Sequence, residues 1–219
     1  AIKAHAAMVD IIYDDGSQVT AQADVLIPSS LDVVKKVYEN HIANNGVDSP
    51  TTNACIDSEN RQVCSVYRFT IKSAIDIDVY ALLNNEYNGF TYLAYTIKDV
   101  TNNKWLQVNS NANASDQYIK LAKCSNENTA TNDDCYRINN DKKIYSTNPQ
   151  ANNSIFGYDA NSKFKSQLIS STQEQVYDLV LFVYENNKDQ NIDQGKNYLG
   201  TINIEATDDI DAIISGKNS

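Results

Sequence analysis

Six runs rich in Val, Ile, Leu, Tyr and Phe follow one another over residues 63–71, 75–83, 91–98, 118–123, 176–184 and 198–204, with no amphipathic helix between them. This succession constrains the chain more than any other feature. Parallel strands need crossovers of about a dozen residues or more, usually helical, so strand–helix alternation marks a parallel sheet. That alternation is missing. The segments between the runs are rich in Asn, Asp and Ser, which build turns. The expected fold is therefore mainly β, an antiparallel β-sandwich with an N-terminal hairpin and one helix.

The hairpin and the helix are read from residues 8–46. Residues 8–13 form a strand-like run, Asp14-Asp15-Gly16-Ser17 is a turn signal, and 19–27 is the return strand. Pro28-Ser29-Ser30 stops the strand, and Ser30 is placed to cap a helix with Asp32 in its first turn. Leu31, Val34, Val37, Tyr38 and Ile42 recur at helical spacing, so one face is apolar. Gly46 supplies a left-handed stop, which sets the helix at about residues 30–44. The polar stretch 46–60 is a soft boundary. It divides an N-terminal hairpin–helix extension, 1–62, from a sandwich, 63–219, although the two can equally form one continuous domain.

Charge narrows the function classes. With 28 Asp and Glu against 18 Lys and Arg, the net charge is -10. Nucleic-acid binding needs a basic footprint, and anionic membranes are reached through basic clusters; neither is expected here. An acidic chain does suit divalent cations. No apolar run reaches the roughly 18 residues that cross a bilayer. Residues 1–7 do not begin with Met and lack the apolar core of a signal peptide, which suits a mature chain. Cys55, Cys64, Cys124 and Cys135 allow three connectivities. The local pairs 55–64 and 124–135, each closing a short polar loop, are the expected disulfides. They place the protein outside the cytosol, at a cell surface or in a secretory lumen. Asn113-Ala-Ser115 and Asn152-Asn-Ser154 are N-glycosylation sequons, and in a chain this rich in Asn both are chance-level matches.

No motif of nucleophile, phosphate loop or metalloprotease type is present, and His5 and His41 lie far from any cysteine. An enzyme is not expected. The 14 tyrosines fall largely in the strand-like runs, where Tyr is favoured, and exposed ones could stack on sugars.

A more specific signal lies in the order of several segments. Thr91-Tyr-Leu-Ala-Tyr-Thr-Ile-Lys98 leads to a polar loop and then to Ser115-Asp116-Gln117-Tyr118-Ile119-Lys120-Leu121. Asn148-Pro149 and Phe156 follow. The strand 178–184 ends in Glu185-Asn-Asn187, an acidic loop comes next, and Leu199-Gly200 opens the last strand. This order resembles the C-two domain, the calcium- and phospholipid-binding β-sandwich of protein kinase C and the synaptotagmins, over about residues 63–207. Gln117 stands where that family has proline. The resemblance implies calcium between two loops, held by Asp116, Glu185, Asn187 and Asp193, with Ser110 at the position of the family's first aspartate. Only three of these four side chains are anionic, so binding is expected to be weak, on the order of 0.1–1 mM. Asp189-x-Asn191-x-Asp193 also resembles a generic calcium loop.

The function expected on these grounds is a non-catalytic C-two-like binding or structural module, acting as a component of a surface or extracellular assembly. A protein partner or self-assembly is expected, and membrane contact only through the calcium loops. Two alternatives stay open. One is a pilus or adhesin subunit whose residues 1–13 complete a neighbour's sheet by strand addition. The other is a carbohydrate-binding domain with an aromatic row in a groove.

Overall fold

The computed structural model describes residues 18–22, 26–48, 52–123, 137–139, 142–144, 152–206 and 210. The expected strand 8–13 and the pair Cys124–Cys135 lie outside these residues. The strands are β1 (Gln18–Gln22), β2 (Thr52–Ile56), β3 (Gln62–Ile71), β4 (Ile77–Asn88), β5 (Leu93–Asp99), β6 (Lys104–Trp105), β7 (Ile119–Lys120), β8 (Arg137–Asn139), β9 (Lys142–Ile144), β10 (Asn152–Ser154), β11 (Gln167–Ile169), β12 (Gln175–Val183) and β13 (Asn197–Glu205). One α-helix, α1, spans Leu31–Asn45.

The fold class is as the sequence implies. Among the described residues, all paired strands run antiparallel in two larger sheets and one small hairpin, β8–β9. The first sheet has the order β1-β13-β4, with β10 and β11 each pairing with β4. The second has the order β2-β3-β12-β5, and the short strands β6 and β7 share the far edge of β5. Alternating side chains of the two sheets meet in one core. Tyr67, Phe69, Ile97, Tyr177 and Leu181 come from the second sheet, and Val79, Ala81, Leu83, Tyr198 and Ile202 from the first. Burying each large apolar side chain stabilises the fold by about 1.5–3 kcal/mol before entropy is counted.

α1 covers the outer face of the second sheet as a third layer. Ser30 accepts a hydrogen bond from the Val33 N–H at 3.3 Å, and Gly46, at φ +77°, donates to the Ile42 carbonyl at 2.8 Å. Leu31, Val34, Val37, Tyr38 and Ile42 pack against Val66, Val180, Phe182 and the Cys55–Cys64 disulfide. That disulfide joins directly opposed residues of β2 and β3, with Cα atoms 5.1 Å apart. His41 is half-buried on the helix.

A row of charges crosses the sheet beneath the helix. Arg68 on β3, Asp178 on β12 and Lys98 on β5 are direct cross-strand neighbours, and Trp105 on β6 continues the row. Asp178 has no solvent exposure. Its carboxylate accepts two hydrogen bonds from the Arg68 guanidinium at 2.8 Å and one from the Tyr38 hydroxyl at 2.5 Å. Lys98 reaches up to Glu39 at 2.9 Å. Trp105 lies edge-on to Tyr38 and carries the ammonium groups of Lys35 and Lys98 at 5.5 and 5.1 Å. Residue 62, the expected domain boundary, opens β3 within the disulfide-linked hairpin.

Two outcomes are expected of this packing. Val34→Asp puts a charge at a site with no solvent exposure, so the folding free energy falls by at least about 3 kcal/mol, measured by urea denaturation; an unchanged midpoint would show an undocked helix. The second concerns pH. Burial first, and then the Asp178 carboxylate, raises the Tyr38 phenol above its ordinary value, and burial does the same to Tyr95 and Tyr198. Above about pH 10 the unfolded chain releases phenolic protons that the folded chain keeps. Stability is therefore full below that pH and falls as pH rises beyond it. Denaturation midpoints taken at about pH 8 and about pH 11 check the slope, and Tyr38→Phe flattens it.

Candidate functional site

The loops at one end of the sandwich are rich in polar residues, yet they are pinned by buried side chains. In the loop between β6 and β7, Gln117 is 8% exposed. Its amide donates to the carbonyls of Asn109 and Ala112 at 2.7 and 2.9 Å, and its oxygen accepts from the Asn109 N–H at 3.1 Å. The same loop is tied to the segment after β10. The Tyr158 N–H donates to the Val108 carbonyl at 2.8 Å, and the Ser110 hydroxyl donates to the Tyr158 carbonyl at 2.9 Å. Gly157, at φ +97°, makes this crossing possible, because a Cβ there would run into the Val108 backbone.

In the loop between β12 and β13, Gln190 donates to the Tyr184 carbonyl at 2.8 Å and accepts from the Asn186 N–H at 2.9 Å. Asp193, 5% exposed, turns inward. Its two carboxylate oxygens accept from the backbone N–H groups of Thr91 and Tyr92 at 2.7 and 2.8 Å. Gln117 and Gln190 thus each brace their own loop, and Asp193 ties the β12–β13 loop to the β4–β5 connection, each side chain satisfying two or more backbone groups.

Tyr118 and Tyr184 stack where the loops meet, with ring centroids 5.7 Å apart. Tyr92 stands edge-on to Tyr184 at 5.6 Å, and the Lys120 ammonium lies 4.7 Å from the centre of the Tyr184 ring. Burial raises the phenols of Tyr118 and Tyr184. Three adjoining hollows surround this group. One, of about 170 Å³, is bordered by Asp32, Asp116 and Glu185 beside Tyr118 and Tyr184. A second, of about 670 Å³, shares Asp116 and Tyr118 with it and adds Lys120. The third, of about 560 Å³, shares Lys120 and Tyr184 and extends to Lys123, Tyr158 and Phe164. Its walls are β7 and the segment between β10 and β11.

The four residues expected to hold calcium are not gathered into one shell. Asp116 and Glu185 border the same hollow, but Glu185 also accepts from the Asn187 N–H at 2.7 Å. Asn187 is exposed at φ +61°, and Asp193 is engaged by Thr91 and Tyr92. Among the described residues no three of His, Cys, Asp and Glu lie close enough to hold an ion. Ser110 is likewise committed to Tyr158. Of the two sequons, Asn113 is exposed, whereas Asn152 is fully buried and its side chain accepts from Asn84 at 2.8 Å.

Sequence reasoning passed over Lys120, Tyr184 and Gln117 as site residues. Gln117 carried a usable signal, a polar residue where the resembled pattern wants proline. Lys120 and Tyr184 carried none, since they come together only through β7, β5 and β12. Comparison with protein-family models, curated proteins and solved structures found no match to this chain.

Asp193→Ala strips two backbone N–H groups of their acceptor, so stability should fall by about 1–3 kcal/mol. The loss should be the same with and without calcium, read from melting curves in millimolar calcium and in chelator. A loss seen only with calcium would return Asp193 to the role of a metal ligand.

Proposed function

We propose that this chain is a non-catalytic binding module that works outside the cytosol as a component of a surface or extracellular assembly, and that its binding face is the surface around residues 116–123. One observation carries the reading. Three hollows join across the Tyr118–Tyr184 stack, on loops that Gln117, Gln190 and Asp193 hold rigid. Aromatic side chains with a polar tip give large contact area at low entropic cost, and rigid loops avoid the ordering penalty on binding. The Cys55–Cys64 disulfide supports an extracytoplasmic setting. The meeting of the 106–118 and 184–196 loops at one end is the part of the C-two resemblance on which the reading draws.

A photo-crosslinking residue placed at Lys120 in the full chain, in its native cells, tests the proposal. An adduct in the extracytoplasmic fraction is expected from position 120, and none from Glu59 in the β2–β3 turn. Equal adducts from both positions, or a chain recovered in the cytosol with Cys55 and Cys64 reduced, would overturn it.

A further inference from the structure

We infer that the cleft between β7 and the segment joining β10 to β11 binds a saccharide bearing carboxylate groups. This rests on the binding-module reading and names its ligand class. The first observation is charge. The chain carries ten more acids than bases, yet among the described residues this cleft is lined by Lys120 and Lys123 and by no carboxylate. The acids collect on the other side of the Tyr118–Tyr184 stack, where Asp32, Asp116 and Glu185 border the smaller hollow. Lys120 and Lys123 are exposed, and among the described residues neither takes part in an ion pair. Asp116 and Lys120 meet across the second hollow, so the cationic side of the group is the cleft beyond Lys120, toward Lys123.

The second observation is the rest of the lining. Tyr158 and Phe164, which meet edge to face at 5.1 Å, both line the cleft. Tyr184 closes the same cleft beneath Lys120. Aromatic faces suit the C–H faces of sugar rings. Thr91 and Ser162 add hydroxyl groups, partners that sugar hydroxyls use. At about 560 Å³ the cleft falls in the range of small-ligand sites, about 300–1,000 Å³.

A long polyanion such as nucleic acid is disfavoured. Its many phosphates would meet the net charge of -10 over the rest of the surface. A short segment with spaced carboxylates meets chiefly the two lysines, because more distant charges are screened within about 8 Å at physiological salt.

Calorimetric titration of the full chain with a panel of uronic- and sialic-acid oligosaccharides, each beside its methyl ester, tests the inference. The ester keeps the ring and hydroxyls and removes the charge. At least one acid should bind, its ester should bind about tenfold more weakly or worse, and raising salt from about 0.05 to about 0.5 M should weaken the acid alone. Lys120→Ala combined with Lys123→Ala should reduce affinity at least about tenfold with the melting temperature kept. Phe164→Ala should weaken acid and ester alike, and Lys36→Ala on α1 should change nothing. An ester that binds as well as its acid, a double variant that binds as the parent does, or acetate competing as well as the oligosaccharide would overturn the inference. So would a panel that shows no binding at millimolar concentration. If the panel fails while position 120 still gives its specific adduct, the ligand class is wrong and the module reading stands; loss of both overturns both.

Discussion

Asp178 sits in a central strand of the second sheet with no solvent exposure, and the arrangement of the helix layer depends on keeping its charge compensated. Removing a carboxylate from water costs several kcal/mol even after relaxation. Arg68 repays this through a two-pronged hydrogen bond from the neighbouring strand, and Tyr38 adds a third bond from α1. The pair fixes geometry more than it adds stability, since apolar replacements of buried ion pairs are often neutral. Only one rotation and one height of α1 bring Tyr38 over Asp178 while Val34 and Ile42 face the sheet. Lys98, Glu39 and Trp105 repeat the constraint one strand away. The apolar stripe tells the helix to dock; the charged row tells it where.

The opposite face of the sandwich uses neutral polar groups for a related purpose. Asn203, Asn84 and Asn152, on β13, β4 and β10, are linked in a row by side-chain hydrogen bonds and are almost fully buried. An amide ladder of this kind is register-specific, because a shift by one residue would turn every member to the other face. It also explains why β4 runs on to Asn88 although Asn84-Asn85-Glu86-Tyr87-Asn88 reads as a turn. Pairing with β13 and the amide row override the local preference.

The strands legible in the sequence were those with long apolar runs, and β3, β5, β12 and β13 fall within two residues of the expected bounds. α1 was legible because its cap, stripe and stop are local signals. The disulfide Cys55–Cys64 was legible because the pair lie nine positions apart, a spacing that a hairpin satisfies. What was not legible was held by distant partners. β2, with the sequence Thr-Asn-Ala-Cys-Ile, has no alternation and exists through its register with β3. The run 118–123 shortens to β7, Ile119–Lys120, because only its middle meets β5. The site failed to show for the same reason, since Tyr92, Tyr118 and Tyr184 come from three separate connections.

The loop acids illustrate a wider ambiguity. A carboxylate in a polar loop can serve a cation, solvent or the backbone, and composition does not separate the three. Asp193 serves the backbone, with both oxygens on consecutive N–H groups of the β4–β5 connection. Asp57 does the same in the β2–β3 turn, accepting from Glu59 and Arg61, and hydrogen bonds from Arg61 first of all hold its carboxyl below the ordinary value. Asp159 repeats the pattern with Asn161 and Lys163. In each case an acid in an Asn- and Ser-rich loop replaces the secondary structure that the loop lacks. These three acids are therefore architectural. The cleft proposed for a ligand adjoins the segments that Asp193 and Asp159 brace, and among the described residues its charged side chains are cationic, with aromatic rings beside them.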